Sequence, residues 1–353
     1  MSENSDDDVI ILENVWKIFG DRSEEAMQAI KERGLTKPEV LQEFGCVVGI
    51  ADCSFTVKKG EIFCVMGLSG SGKSTMVRHL NRLIEPTSGS INMLGRDMLA
   101  LNGNELREMR AMKIGMVFQH MALLPHRTVR DNVGFPLQVR GEPKSKRWEV
   151  SQHCLGLVNL DGYEDRFPRE LSGGMQQRVG LARALASDPE VLLMDEPFSA
   201  LDPLIRRQLQ DQFMALSSEL HKTTVFITHD LDEAIRIGNR IAIMKDGRIV
   251  QIGTPEEIVT KPADDYVKDF VEGISKLKLV FAHSIMEDIG SYQPANGEDL
   301  QHAPRASHGT DLDQLIDITT TTDQPIVIQN DAGEDVGVVN KTTLLKGIQG
   351  GKA

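Results

Sequence analysis

The stretch Gly67-Leu68-Ser69-Gly70-Ser71-Gly72-Lys73-Ser74-Thr75 fits the pattern GxxxxGK[ST] and lies between a strand and a helix. Ile62–Met66, before it, is apolar on both faces, as in a buried parallel strand, and Met76–Leu83 has helical spacing. Glycines let the backbone wrap closely round phosphate oxygens, and a helix N-terminus attracts negative charge. We therefore expect Lys73 to reach the β- and γ-phosphates of a nucleotide and Ser74 to bind Mg²⁺. A glycine-rich turn is the alternative.

A pair of carboxylates, Asp195 and Glu196, follows a second buried strand pattern at Val191–Met194. An aspartate at the end of a strand beside a phosphate-binding loop can hold Mg²⁺ through the water shell of the ion. The adjacent glutamate is placed to take a proton from an attacking water as general base. The alternative interpretation is a solvated acidic turn.

The sequence Leu171-Ser172-Gly173-Gly174-Met175-Gln176-Gln177-Arg178 opens another helix upstream of Asp195. Ser172 and the two glycines would make a second anion cradle at a helix N-terminus. One nucleotide does not need two such cradles, so the second one indicates that two chains share each nucleotide. A capped helix start is the alternative.

The rest of the chain predicts an α/β fold. Short apolar runs at Val191–Met194 and Val225–Ile227 each follow a helical stretch, which is typical of a parallel sheet with crossover helices. Val9–Phe19 has a strand pattern that closes at Gly20, and Asp246-Gly247 predicts a hairpin turn. Residues 21–47 have helical patterns and form an insertion within this β-rich region.

Length and composition limit the function. A chain of 353 residues favours two unequal domains, and a net charge of −13 argues against a nucleic-acid partner. No apolar run has the roughly 18–20 residues that a membrane helix needs, and the acidic N-terminus is unlike a signal peptide. Four scattered cysteines indicate reduced thiols in a cytoplasmic protein, and they show no metal-ligand spacing. They are Cys46, Cys53, Cys64 and Cys154.

The composition changes after about residue 273. Residues 284–353 contain 11 acidic residues against four basic ones, a balance of −7. Within them, Ser291–Thr310 has the turn-rich composition of a loop or linker. We therefore expect a separate C-terminal segment over residues 273–353.

The order of these motifs resembles the ATPase subunit of an ABC transporter. The phosphate loop is followed by LSGGM, VLLMDEP, Ser199–Asp202 and Thr228-His229-Asp230. The resemblance implies a P-loop ABC ATPase domain over residues 1–272, with an antiparallel β subdomain and a helical subdomain over about residues 119–182. It also implies ATP and Mg²⁺ as ligands and a homodimer that takes residues 172–175 from the partner chain.

The same resemblance implies roles for single residues. Gln119 matches a glutamine that acts in catalysis and at Mg²⁺, and His229 matches a histidine that contacts the γ-phosphate. Phe19 matches an aromatic residue that stacks on adenine, although alone it would be read as a core residue. The match of Ser199–Asp202 to a family motif implies that Asp202 also contributes to nucleotide binding. Met175 stands where most members have glutamine, which removes a side-chain contact to ribose and keeps the backbone cradle.

A narrower resemblance covers about residues 9–281. The helical insertion, Gly67–Gly89 and the runs SALDPLIRRQLQ and HDLDEAIRIGNRIAIMKDG are similar to the ATPase of glycine betaine/proline betaine importers. This implies transmembrane permease subunits, a periplasmic or lipid-anchored substrate-binding protein, and a place on the cytoplasmic face of the inner membrane. Importers of another small solute and soluble ABC ATPases are the alternatives. Apolar residues in Met121–Val133 would contact the permease or pack in the core.

The C-terminal segment resembles one half of a CBS module around Ile326–Val339. Asn340 and Thr343 depart from the residues usual in that module, and Thr343 replaces an aspartate that contacts ribose. The segment is therefore expected to dock or regulate and not to bind a nucleotide.

Overall fold

A computed structural model describes residues 7–119, 121–199, 201–294 and 298–349. The chain divides into two compact units, and the boundary lies between Ile252 and Gly253. This is 20 residues before the predicted start of the C-terminal segment. The difference arises because the helix that follows the boundary belongs to the second unit: its Glu256 accepts hydrogen bonds from Phe281 N (3.2 Å) and Ser284 Oγ.

The first unit contains two sheets and a set of helices. Its strands are β1 Asp8–Phe19, β2 Val47–Lys58, β3 Ile62–Met66, β4 Ser88–Met93, β5 Arg96–Asp97, β6 Ile114–Val117, β7 Val191–Asp195, β8 Thr223–Thr228, β9 Arg240–Lys245 and β10 Arg248–Gly253. Its helices are α1 Ser23–Arg33, α2 Lys37–Phe44, α3 Lys73–Leu80, α4 Gly103–Met112, α5 Val129–Val133, α6 Phe135–Val139, α7 Lys144–Leu157, α8 Gly173–Leu185, α9 Pro203–Leu220 and α10 Leu231–Ile237.

The central sheet has the strand order β10-β9-β3-β8-β7-β6. The strands from β9 to β6 run parallel, with β3 between β8 and β9, so the carboxyl ends of β3, β7 and β8 meet at one edge. β3 and β7 are buried along their whole length, as their unbroken apolar sequences require. This confirms the predicted parallel sheet, and the turn at Asp246-Gly247 joins the neighbours β9 and β10 as expected.

A second, antiparallel sheet has the order β2-β1-β4-β5. Its inner face packs with the central sheet and α3 in one apolar core, in which the rings of Phe55 and Phe63 stack at 5.0 Å. The predicted antiparallel β subdomain is therefore present. The four cysteines are buried free thiols, and burial raises the pKa of Cys154 to about 11.

The insertion between β1 and β2 folds into α1 and α2. Helix α2 begins with a capping box, in which Thr36 N donates to Glu39 Oε2 at 2.7 Å. Buried residues of both helices pack with Ile18 and Val48 in a small core of their own. The insertion therefore covers one face of the ends of β1 and β2.

The region from residue 121 to residue 185 contains α5–α8. Residues 121–128 form a loop, held to α5 by Asn132, whose Oδ1 accepts a hydrogen bond from Leu124 N at 2.7 Å. Leu123 and Leu124 are half-buried, so part of their apolar surface packs within the first unit itself.

The second unit has its own four-stranded sheet, in the order β11-β14-β13-β12. β12 pairs parallel with β13, which pairs antiparallel with β14, and apolar residues of α14 and α15 complete the core. The elements are α11 Pro255–Thr260, α12 Asp265–Val271, α13 Ala282–Ile285, β11 Glu287–Asp288, β12 Arg305–Ser307, α14 Leu312–Thr321, β13 Ile326–Gln329, β14 Asp335–Val339 and α15 Lys341–Gln349. β12 lies in the stretch expected to be a loop, because its pairing with β13 overrides its turn-rich composition.

Asn340 and Thr343, which depart from the CBS pattern, cap α15. Thr343 N donates to Asn340 Oδ1 at 2.9 Å, and Asn340 N donates to Thr343 Oγ1 at 2.9 Å. Thr343 is buried. Both side chains are therefore engaged in ending one strand and starting the next helix.

The turn at Gly247 holds the phosphate loop, residues 67–75, against β2. Gly247 N donates to Ser71 O at 2.8 Å, and Ala51 N donates to Gly247 O at 2.9 Å. Gly247 has a φ of 72°, and a Cβ atom there would lie 2.4 Å from Gly49 O. Only glycine allows this approach, so a hairpin far along the chain sets the position of the loop.

We predict that Gly247→Ala destabilises the protein more than Gly60→Ala. Gly60 has the same φ of 72° but nothing within 4 Å of a Cβ atom, so it is a matched control for backbone strain. Gly60→Ala should cost about 1–2 kcal/mol. Gly247→Ala should cost a further ~1–3 kcal/mol, because the clash with Gly49 O adds to the strain. Urea unfolding measures both, and equal costs would show that the turn can move away from β2.

Candidate functional site

A cavity of about 570 Å³ lies at the carboxyl ends of β3, β7 and β8. Glycines of the phosphate loop and polar side chains from four separate segments line it. The lining residues are Gly49, Leu68, Ser69, Gly70, Gly72, Lys73, Ser74, Thr75, Gln119, Glu196 and His229. The structure thus brings together most of the residues that the sequence predicts for one site.

Lys73 lies at the base of the phosphate loop. Its Nζ donates to Gly67 O at 2.8 Å and to Leu68 O at 3.0 Å. Burial lowers the pKa of Lys73, and the carboxylates of Glu196 and Asp195 act in the opposite direction. The ammonium group is therefore a positive charge held within the curve of the loop.

Ser74 and Asp195 lie side by side at the end of β7. Ser74 Oγ donates to Asp195 Oδ1 at 2.8 Å, and Arg78 Nη2 lies 3.7 Å from Asp195 Oδ2. Burial raises the pKa of Asp195, while the Ser74 hydrogen bond and the Arg78 charge lower it. The sequence analysis missed Arg78, because only the fold places its helix beside β7.

Glu196 lies between two polar side chains. Its Oε2 accepts a hydrogen bond from Gln119 Nε2 at 3.1 Å and lies 3.1 Å from His229 Nδ1. Glu196 has a φ of 46°, in the left-handed region. This conformation is unfavourable for a glutamate by about 1–3 kcal/mol, and such strain clusters at active sites.

The residues present fit a magnesium-bound polyphosphate. Ser71 Oγ is buried and makes no hydrogen bond with any described residue, so the loop holds an unused donor. The first N–H groups of α3 point out of its N-terminus beside it. Among the described residues no group of three His, Cys, Asp or Glu side chains could form a metal cage. An ion at Ser74 and Asp195 would thus take further ligands from water and phosphate, as Mg²⁺ does.

Phe19 lies at the rim, outside the set of lining residues, and is 40% exposed. Its ring packs on Gly49, where a Cβ atom would lie 2.7 Å from Phe19 Cε2. Gly49 itself lines the cavity, and Lys17 Nζ lies 5.1 Å from the centre of the ring. Sequence reasoning missed Gly49, although a glycine inside a strand signals close approach of another group.

The second predicted cradle lies elsewhere. Ser172 caps α8, with its Oγ accepting from Met175 N at 3.4 Å, and Asp202 caps α9 by accepting from Ile205 N at 3.1 Å. Neither Asp202 nor any residue from Ser172 to Met175 is among the described residues that line the cavity. Within one chain, therefore, these residues do not complete the site around Lys73.

A separate, mostly apolar cavity of about 460 Å³ lies between α4, β6, α6 and α8. Of the stretch Met121–Val133, in which we expected a permease contact, only Ala122 lines it. The lining residues are Arg107, Arg110, Ala111, Ile114, Gly115, Met116, Phe118, Ala122, Phe135, Pro136, Val139, Arg183, Ala184 and Ser187.

A family model described as "ABC transporter" matches residues 50–199. The trimethylamine N-oxide transport system ATP-binding protein TmoW of Pelagibacter ubique is 44% identical over 339 residues, covering 96% of this chain and 97% of its own length. The chain belongs to the ATP-binding subunits of ABC transporters. This confirms the resemblance found in the sequence.

Two further similarities agree with this family. The glycine betaine transport ATP-binding protein OpuAA of Bacillus subtilis is 53% identical over 278 residues, which cover 79% of this chain and 66% of that protein. A dimeric ATP-binding cassette, MJ0796, in a post-hydrolysis state with ADP and phosphate, superimposes with a TM-score of 0.59 at 32% identity. The superposition covers 70% of this chain and 98% of the MJ0796 chain. No helix in the described part of the chain is long and apolar enough to cross a bilayer.

We predict that Glu196→Gln slows ATP hydrolysis by about 10²–10⁴-fold, as expected for a lost general base, and leaves ATP binding intact. The amide keeps the size of the side chain but cannot take a proton from water. Glu219→Gln, on the exposed side of α9, is the control and should hydrolyse ATP at the unchanged rate. Steady-state phosphate release and equilibrium ATP binding measure the two effects. Near-normal turnover of Glu196→Gln would exclude Glu196 as the general base.

Proposed function

We propose that this protein hydrolyses ATP to power the import of small N-methylated solutes through separate transmembrane permease subunits. The observation that supports it most strongly is the arrangement of Glu196 between Gln119 and His229, in the same cavity as Lys73 and Ser74. Such a site has a phosphate cradle, a fixed positive charge and a proton acceptor.

In the proposed reaction the phosphate loop and Lys73 bind the β- and γ-phosphates. Glu196 takes a proton from water as the water oxygen bonds to the γ-phosphorus and the bond to the β–γ bridging oxygen breaks. His229 and Gln119 hold the Glu196 carboxylate in place. Mg²⁺, bound at Ser74 and Asp195, would offset the phosphate charge. Because Gln119 directs its amide nitrogen to Glu196, its amide oxygen is the atom that could also bind the ion.

The active form we propose is a homodimer with shared sites. Ser172–Met175 present a helix N-terminus that is absent from the cavity of their own chain. In a dimer this helix N-terminus would close the partner's cavity over the γ-phosphate. The similarity to a cassette that is itself dimeric supports this assembly.

The permease would dock at the apolar cavity between α4 and α8. Its lining residues include Met116, Phe118 and Phe135 together with three arginines. A short permease helix with an apolar face and acidic or carbonyl groups at its edge would fit this surface. Docking there would place the protein on the cytoplasmic face of the inner membrane.

The solute class rests on the relatives. The trimethylamine N-oxide protein of Pelagibacter ubique matches 96% of this chain, and the betaine protein of Bacillus subtilis matches 79% of it. The shared chemistry is a small solute with a trimethylated nitrogen. A periplasmic or lipid-anchored binding protein would deliver it to the permease.

The second unit would act as a docking or regulatory segment. Its Asn340 and Thr343 cap α15, which leaves Thr343 unable to contact a ribose. Two of its basic side chains, Arg305 and Lys341, already pair with Asp335 and Asp323. We therefore infer that it packs on protein and has no nucleotide of its own.

Mixed dimers test whether the site is shared. Gly173→Asp adds a carboxylate where nothing lies within 4 Å in its own chain, so the variant should fold normally while repelling a phosphate in the partner's site. Lys73→Ala disables the phosphate loop. Each variant alone should be inactive, and mixing them should restore part of the ATPase rate, because one site of each mixed dimer is intact. No gain on mixing would contradict the shared site.

A transport assay tests the solute class. The complex of this protein with its permease and binding protein, reconstituted in liposomes, should hydrolyse ATP faster when trimethylamine N-oxide or glycine betaine is added. Dimethylamine, which lacks the trimethylated nitrogen, is the control and should have little effect. Stimulation by an unrelated solute alone would contradict the proposed class and leave the ATPase assignment standing.

A further inference from the structure

Arg206 lies one turn into α9 and joins two loops. Its Nη2 donates to Leu201 O at 3.0 Å and to Ser199 O at 3.4 Å, and its Nη1 lies 3.4 Å from Asp230 Oδ2. The Arg206 side chain is 27% exposed and that of Asp230 is 34% exposed. The pair is thus partly sheltered and has a defined geometry, unlike two freely moving surface charges.

Both loops joined by Arg206 contact Glu196. On one side, Ser199 Oγ donates to Glu196 O at 3.1 Å. On the other side, Asp230 directly follows His229, whose Nδ1 lies 3.1 Å from Glu196 Oε2. Arg206 therefore closes a ring of contacts that begins and ends at the proposed general base.

The three acceptors around Arg206 explain why arginine stands at this position. They are two backbone carbonyls and one carboxylate, which lie in different directions from the guanidinium group. A guanidinium has five N–H donors in one rigid plane and can contact all three at once, whereas a lysine has one compact charge. Arg207, the next residue, is exposed.

Contacts that do not involve Arg206 hold α9 to α10 and fix the start of α10. Gln210 Nε2 of α9 donates to Glu233 Oε1 of α10 at 2.8 Å in a buried pair. Asp230 caps α10 itself by accepting from Glu233 N at 3.2 Å. Removing the Arg206 guanidinium would leave both contacts in place. Its loss should therefore change the spacing of the two loops more than the stability of the fold.

The geometry points to Arg206 as a positioning residue that sets the distance between His229 and Glu196 by tying Ser199 and Leu201 to the His229-Asp230 turn. This inference rests on the proposed function, because it concerns the same reaction. Arg206 does not touch the cavity and acts through Glu196 and His229. A displacement of about 1 Å in such a site can cost roughly 10²-fold in rate.

The test compares Arg206→Met with Arg207→Met in the full-length protein. Arg206→Met should lower kcat by roughly 10–10²-fold, with ATP affinity and thermal midpoint close to those of Arg207→Met. Arg206→Lys, which keeps the charge, should recover part of kcat. If Arg206→Met does not fold, Arg206→Lys still has to lower kcat at unchanged ATP affinity.

A double-mutant cycle with Asp230→Asn checks that the effect passes through the turn. Asparagine keeps the cap on α10 and removes the charge that Arg206 contacts. The two substitutions should be strongly non-additive in kcat. Additive effects, a loss confined to ATP affinity, or a kcat of Arg206→Met within twofold of that of Arg207→Met would each overturn the inference. The ATPase assignment is tested separately: Arg207→Met should hydrolyse ATP normally and Glu196→Gln should not, whatever the result for Arg206.

Discussion

The close contact between Gly247 and Gly49 is the constraint on which the rest of the site depends. Two backbones approach so closely that no side chain fits between them. The same turn accepts a hydrogen bond from β2 through Gly247 O and donates one to the phosphate loop through Gly247 N. The loop is therefore held from behind by a hairpin almost 180 residues away in sequence. The ring of Phe19 also packs on Gly49, so β2 contacts both this ring and the turn that holds the phosphate loop.

Within this frame, backbone conformation separates two neighbouring carboxylates. Asp195 ends β7 and faces α3, where Ser74 and Arg78 meet it and burial raises its pKa. The left-handed backbone at Glu196 directs the next side chain toward Gln119 and His229. Consecutive residues of similar chemistry thus have different surroundings, which is the arrangement that the two proposed roles, holding a cation and taking a proton, require.

Much of this arrangement could be predicted from the sequence, because its motifs are local. The phosphate loop, the two buried strands and the hairpin depend on residues that are adjacent in the chain, and the structure shows those elements. Residues whose surroundings come from distant segments were missed, such as Gly49 under Phe19, Arg78 beside Asp195 and Arg206 between two loops. The strand Arg305–Ser307 was missed for the same reason, because only its pairing with β13 identifies it. Contacts between segments far apart in the sequence cannot be predicted from local composition.

The insertion formed by α1 and α2 has its two ends at neighbouring positions. Phe19 and Val47, which flank it, are directly paired across β1 and β2, so the chain leaves and re-enters the sheet about 5 Å apart. The helices have their own capping box but share their small core with Ile18 and Val48 of the strands. A short hairpin turn in place of the insertion would span the same gap and leave those strand residues uncovered. The same junction could accept a foreign domain, such as a fluorescent reporter, one residue from Phe19 at the rim of the cavity. A reporter grafted there would be well placed to follow nucleotide binding optically.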